Sequence, residues 1–137
     1  MRKSMIAALV LTATMAWAEG PWKVKLTNKE LAADLKIDLY EESIDVPEME
    51  MFGPMNGYLN GKGIYGTWMV TSCEVKSDKV AVMNLSNDLG SETQTVRLTL
   101  QNDTTYLFEQ IDGNVIKKAV NRKLVKIPSK FTLTIKK

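Results

Sequence analysis

Apolar and polar residues alternate one for one through most of this chain. A period of two belongs to a strand with one face on a core and the other in water. In residues 95–101, Val96, Leu98 and Leu100 alternate with Thr95, Arg97, Thr99 and Gln101. Residues 130–136 repeat the pattern, with Phe131, Leu133 and Ile135 set against Lys130, Thr132, Thr134 and Lys136. Turn residues separate such runs at hairpin spacing. Ser77-Asp78 falls between strands expected at 68–76 and 79–85. Asn102-Asp103 falls between 95–101 and 104–111, and Asp112-Gly113-Asn114 precedes 115–120. Asp, Asn and Gly tolerate the backbone of tight hairpins, so a meander of neighbouring antiparallel strands is expected.

The first half is less regular. Residues 22–26 and 35–40 read as strands, and Thr27-Asn28-Lys29-Glu30 between them has the form of a capping box, with a helical turn expected over 29–33. Residues 44–52 read as a strand that Pro47 confines to an edge or a bulge. The glycine-rich stretch from Asn56 to Gly66 reads as a loop or frayed hairpin. The whole predicts an all-β domain, an up-and-down meander of about eight to ten short strands. It must curl to hide its edges, into a small barrel or, alternatively, a two-sheet sandwich.

Ahead of this domain, Arg2 and Lys3 precede an apolar stretch from Met5 to Met15. Ala16-Trp17-Ala18 then offers small residues at the positions flanking a cleavage site. This is the pattern of a Sec-type signal peptide cleaved after Ala18, too short to span a bilayer. It implies a periplasmic or secreted product and a single domain over residues 19–137. Without Arg2 and Lys3, 16 basic and 16 acidic residues remain, so net charge offers no argument for nucleic-acid binding. Cys73 is the sole cysteine, which excludes an internal disulfide; it is expected on a core-facing strand position with Met69, Thr71 and Val75.

Gly20-Pro21-Trp22-Lys23-Val24 and Gly66-Thr67-Trp68-Met69-Val70 lie 46 residues apart and hint at an internal duplication. Gly-x-Trp opening an exported β-meander resembles the first-strand signature of lipocalin-like (calycin) barrels. The resemblance implies a barrel with an apolar pocket and a tryptophan packed across its closed end. Residues such as Trp22, Trp68, Val96, Leu98 and Leu100 would then line a site for a small apolar or amphipathic ligand.

Other features point to the surface. Residues 52–66 mix aromatics, amides and glycines, a composition suited to a binding loop in which Phe52, Tyr58 and Tyr65 supply area and Asn56 and Asn60 hydrogen bonds. Charge is also segregated: residues 30–50 hold eight acids against Lys36, and residues 113–137 hold eight bases and no acid. Such patches either pair when a barrel closes or dock an envelope protein or glycan. Met49, Met51 and Met55 are soft donors of the kind that hold Cu(I), although methionine also fills irregular gaps in cores. No cofactor is implied. With no histidine in the chain, the commonest general base and every Ser-His or Cys-His pairing are missing, and a non-catalytic role is expected.

Overall fold

The computed structural model describes residues 20–136; the expected signal peptide and its cleavage after Ala18 lie outside the described residues. Ten strands form: β1 (Lys23–Asn28), β2 (Ala33–Asp38), β3 (Gly57–Gly61), β4 (Trp68–Val75), β5 (Val80–Asn87), β6 (Thr93–Asn102), β7 (Thr105–Gly113), β8 (Lys117–Val120), β9 (Lys123–Lys126) and β10 (Lys130–Ile135). β1 to β7 and β10 close into an antiparallel barrel in the order β1-β10-β7-β6-β5-β4-β3-β2, while β8 and β9 pair only with each other. The fold is therefore the expected meander barrel. Among the described residues there is no α-helix, and none long and apolar enough to cross a membrane.

Closure joins β10 to β1, with Leu26 opposite Ile135 and Thr27 opposite Thr134. The chain enters at one end of the barrel, beside the long β2–β3 connection and the β4–β5 and β6–β7 turns. The other end carries the β1–β2, β3–β4 and β5–β6 turns and the β8–β9 hairpin.

Several local expectations change. The capping box does not open a helix. Asn28, not Thr27, caps a single turn by accepting the Leu31 N–H at 2.8 Å, and Ala33 already begins β2. Residues 44–52 do not form a strand. Ile44 makes one isolated bridge to Met55, and Glu50–Phe52 is a 3-10 turn. The stretch read as loop contains β3, which pairs with β2 from Ala33–Gly61 to Ile37–Gly57. Nor does Asp112-Gly113-Asn114 make a hairpin: β7 pairs with β6 and β10, and β8 turns away to pair with β9. The β8–β9 turn is made instead by Asn121 and Arg122, both at positive φ.

β4 carries a bulge between Val70 and Ser72. One extra residue inverts the in/out alternation beyond it. Cys73 consequently pairs with Met83 and packs against the core on the side of Trp68 and Val70, not with Met69 as the uninterrupted alternation suggests.

An eight-stranded barrel is just wide enough for side chains to fill. Here Trp22, Trp68, Tyr106 and Phe108 are the largest of the fully buried side chains, and leucines, isoleucines, valines and Met83 pack around them. Trp22 packs at the entry end, edge-on to Tyr106 with ring centroids 5.7 Å apart, its Nε1 donating to the Ser77 carbonyl at 2.9 Å. Trp68 begins β4 at the opposite end. Ile116 and Ile127, which flank the hairpin, join the same core cluster and stopper that end.

Candidate functional site

The side chains expected to line a ligand cavity are packed in the core. A side chain lining a void that admits water keeps accessible surface against it. Trp22, Trp68, Val96 and Leu98 keep none, and Leu100 is 5% exposed. The two tryptophans expected at a ligand therefore serve as core.

The outer wall is different. Opposed residues on antiparallel strands share a face, so the register of β1 to β4 fixes what looks outward. One transverse row runs Lys25, Lys36, Tyr58, Met69. The adjacent row runs Thr27, Asp34, Asn60. Between these rows lies a recess of about 160 Å³ bordered by Lys25, Lys36, Lys136, Asp34, Tyr58 and Asn60. Asn60 also borders a second, more open cleft of about 400 Å³, whose walls include Glu48, Ile64, Thr67, Asp88 and Leu89. Asn60 is thus common to the walls of both recesses.

The second cleft exists because β3 and β4 part early: only Tyr58–Met69 and Leu59–Trp68 pair between them. Beyond that point the β3–β4 loop is strapped to the β5–β6 corner instead. Asn87 donates from Nδ2 to the Tyr65 carbonyl at 2.9 Å and accepts the Leu89 N–H at 2.7 Å, while Asp88 Oδ1 accepts the Thr67 N–H at 2.7 Å. Gly66, at φ +78°, passes so close that a Cβ there would overlap the Asn87 side chain. A left-handed glycine is required at this crossing.

The loop residues read from the sequence are dispersed by this arrangement. Tyr58 lies on β3 in the first recess, and Asn60 borders both recesses. Tyr65 is 39% exposed beside the hairpin, its N–H donating to the Lys117 carbonyl. Phe52 and Met51 stand on the 3-10 turn at 65% and 78% exposure. Asn56 turns to the backbone and donates to the Asp38 carbonyl. Met49 and Met55 are half-buried, and no strand forms to align Met49 with Met51. Among the described residues no group of three or more His, Cys, Asp or Glu side chains is placed to hold a metal ion.

Among the described residues one ion pair joins the two segregated stretches, Lys136 with Asp34 at 3.2 Å; Lys117 and Lys130 pair instead with Glu92 at 3.3 Å and Glu109 at 3.8 Å, outside the acidic stretch. Exposed Glu41, Glu42, Asp45, Glu48 and Glu50 of the β2–β3 connection, and Arg122, Lys123 and Lys126 of the hairpin, remain at the surface. Asp38 is the exception within the acidic stretch. It is buried, accepting the N–H groups of Tyr40 and Glu41 and the Ser43 hydroxyl, and turns the chain out of β2.

Sequence reasoning missed Lys25, Lys36, Thr67, Asp88 and Leu89. The cross-strand register that assembles them depends on β3, which its glycines disguise as loop. Comparisons with protein-family models, with curated proteins and with solved structures found no match to this chain.

Proposed function

We propose that this chain is an exported, non-catalytic binding module that takes its ligand on the outer wall of β1 to β4, as an envelope-associated protein- or glycan-recognition domain. The observation that carries this reading is the pair of recesses that share Asn60, on a barrel whose interior side chains keep almost no accessible surface. The lipocalin-like resemblance suggests instead an apolar ligand inside. Admitting one means displacing core side chains that each gain about 1.5–3 kcal/mol from burial, which favours the outside.

Amide NMR on the protein titrated with palmitate and, separately, with a panel of soluble neutral and acidic oligosaccharides and short peptides tests the reading. Shifts gathered at Lys36, Tyr58, Asn60 and Thr67 with a member of the panel support it. Saturable shifts at Val96, Leu98 and Leu100 with palmitate, and none on the wall, overturn it.

A further inference from the structure

Outward rows across β1 and β2 show a departure from charge complementarity. Lys23 faces Asp38, and Thr27 faces Asp34, but between them Lys25 faces Lys36. Like charges directly opposed on neighbouring strands destabilise a sheet. Neither lysine has an ion-pair partner among the described residues, because the one carboxylate bordering the recess, Asp34, is taken by Lys136. The charged groups around the recess are thus three ammonium groups and one carboxylate, a surplus of two positive charges. The same row continues into Tyr58, and Asn60 stands one row on.

From this juxtaposition we infer that the recess is a subsite for an acidic saccharide, a sugar ring bearing a carboxylate or sulfate; the inference rests on the outer-wall reading above and names its ligand class. Lys25 and Lys36 supply charge-assisted hydrogen bonds to the anionic group. Tyr58 offers an amphipathic ring surface for the sugar, and Asn60 a donor and an acceptor for its hydroxyls. A space of about 160 Å³ is below the size of a drug-sized pocket and suits one ring of a longer chain, whose next units would lie in the cleft beyond Asn60. The ligand's anion relieves the repulsion between the two lysines, so the wall is complete only when loaded.

Isothermal titration at low ionic strength with a galacturonic acid trimer, a sulfated galactose trimer, the neutral galactose trimer and a glutamate peptide of matched charge tests this. At least one acidic trimer should bind roughly ten-fold tighter than both the neutral trimer and the peptide. The K25Q/K36Q variant should lose that preference, and Tyr58→Ala should weaken the acidic trimer. The hairpin variant K123Q/K126Q should bind as wild type. K25Q/K36Q should melt no lower than wild type, which separates lost binding from lost folding. Failure of both acidic trimers to bind, equal binding of the neutral trimer or the peptide, or an equal loss in K123Q/K126Q overturns the inference. If the neutral trimer or the peptide shifts the same wall amides by NMR, the outer-wall reading stands without it.

Discussion

The phenol of Tyr106 on β7 donates a 2.6 Å hydrogen bond to the carbonyl of Pro21, 85 residues earlier, where the chain enters the barrel. Its ring also meets Trp22 edge-on, so one side chain holds both the backbone and the indole that close this end. Tyr106→Phe keeps the ring and orphans the carbonyl, and should cost about 1–3 kcal/mol in denaturant unfolding at neutral pH. Burial, with a smaller contribution from Tyr40, pushes the Tyr106 phenol from 10.0 up to about 12. The unfolded phenol therefore ionises first. Its contribution to stability is intact below pH 10 and lost progressively between pH 10 and 12, at about 1.4 kcal/mol per pH unit. Unfolding curves across that window should show a steeper decline for wild type than for Tyr106→Phe. Equal slopes would refute the assignment. Tyr40, also raised by burial, accounts for a residual slope in the variant.

Cys73 should be a sluggish nucleophile. It is half-buried, with Sγ 3.6 Å from the Leu39 carbonyl; burial raises its pKa, and Glu42 and Asp38 add to the shift. Less thiolate forms at a given pH, so iodoacetamide should modify it more slowly than free cysteine in the folded protein, and at the free-thiol rate in denaturant. Glu42→Gln should speed the folded-state reaction. A folded-state rate equal to that of free cysteine would contradict this account.

The strap between the β3–β4 loop and the β5–β6 corner depends on Asn87, 3% exposed and bonded to both. Asn87→Ala leaves the Tyr65 carbonyl and the Leu89 N–H without this partner. It should cost about 2 kcal/mol and accelerate hydrogen exchange at Leu89 and in the β3–β4 loop before it does so on β6. Uniform acceleration across the barrel would mean that Asn87 supports the core and not the cleft.

The hairpin is a stopper as well as an appendage. Ile127 donates its N–H to the Ile116 carbonyl, and both side chains are buried at the barrel end opposite Trp22. Ile116→Ala should cost about 2–3 kcal/mol, because the cavity it leaves sits beneath a hairpin that only partly collapses. It should also raise binding of a hydrophobic dye. An exposed substitution such as Leu124→Ala, by contrast, should change stability by less than about 0.5 kcal/mol. Equal effects at the two positions would place the hairpin outside the core.

Strands with clean alternation and a tight turn were legible in the residues. β5, β6 and β10 lie within two residues of their expected limits, and the turn after β4 contains the expected Ser77-Asp78; after β6 the turn falls one residue later than expected, on Asp103-Thr104, with Asn102 still in the strand opposite Thr105. β3 was not legible, because its glycines carry the composition of a loop. Gly61 is there because a Cβ would collide with the Ala32 carbonyl across the pair. Tyr58 and Asn60 stood out from composition as candidate binding residues, whereas Lys25 and Lys36, eleven positions apart, carry no local sign that they stand opposed.

Alternation along the chain thus determined by itself that this protein is an antiparallel β meander, since one buried and one wet face is a property of each strand separately. Tertiary structure decided the rest. The β4 bulge chose which side Cys73 faces, barrel closure brought Lys136 to Asp34, and the bulk of two tryptophans, Tyr106 and Phe108 filled the interior. Register and packing set these outcomes between residues far apart in the chain. They moved the candidate site from the inside of the barrel to its outer wall.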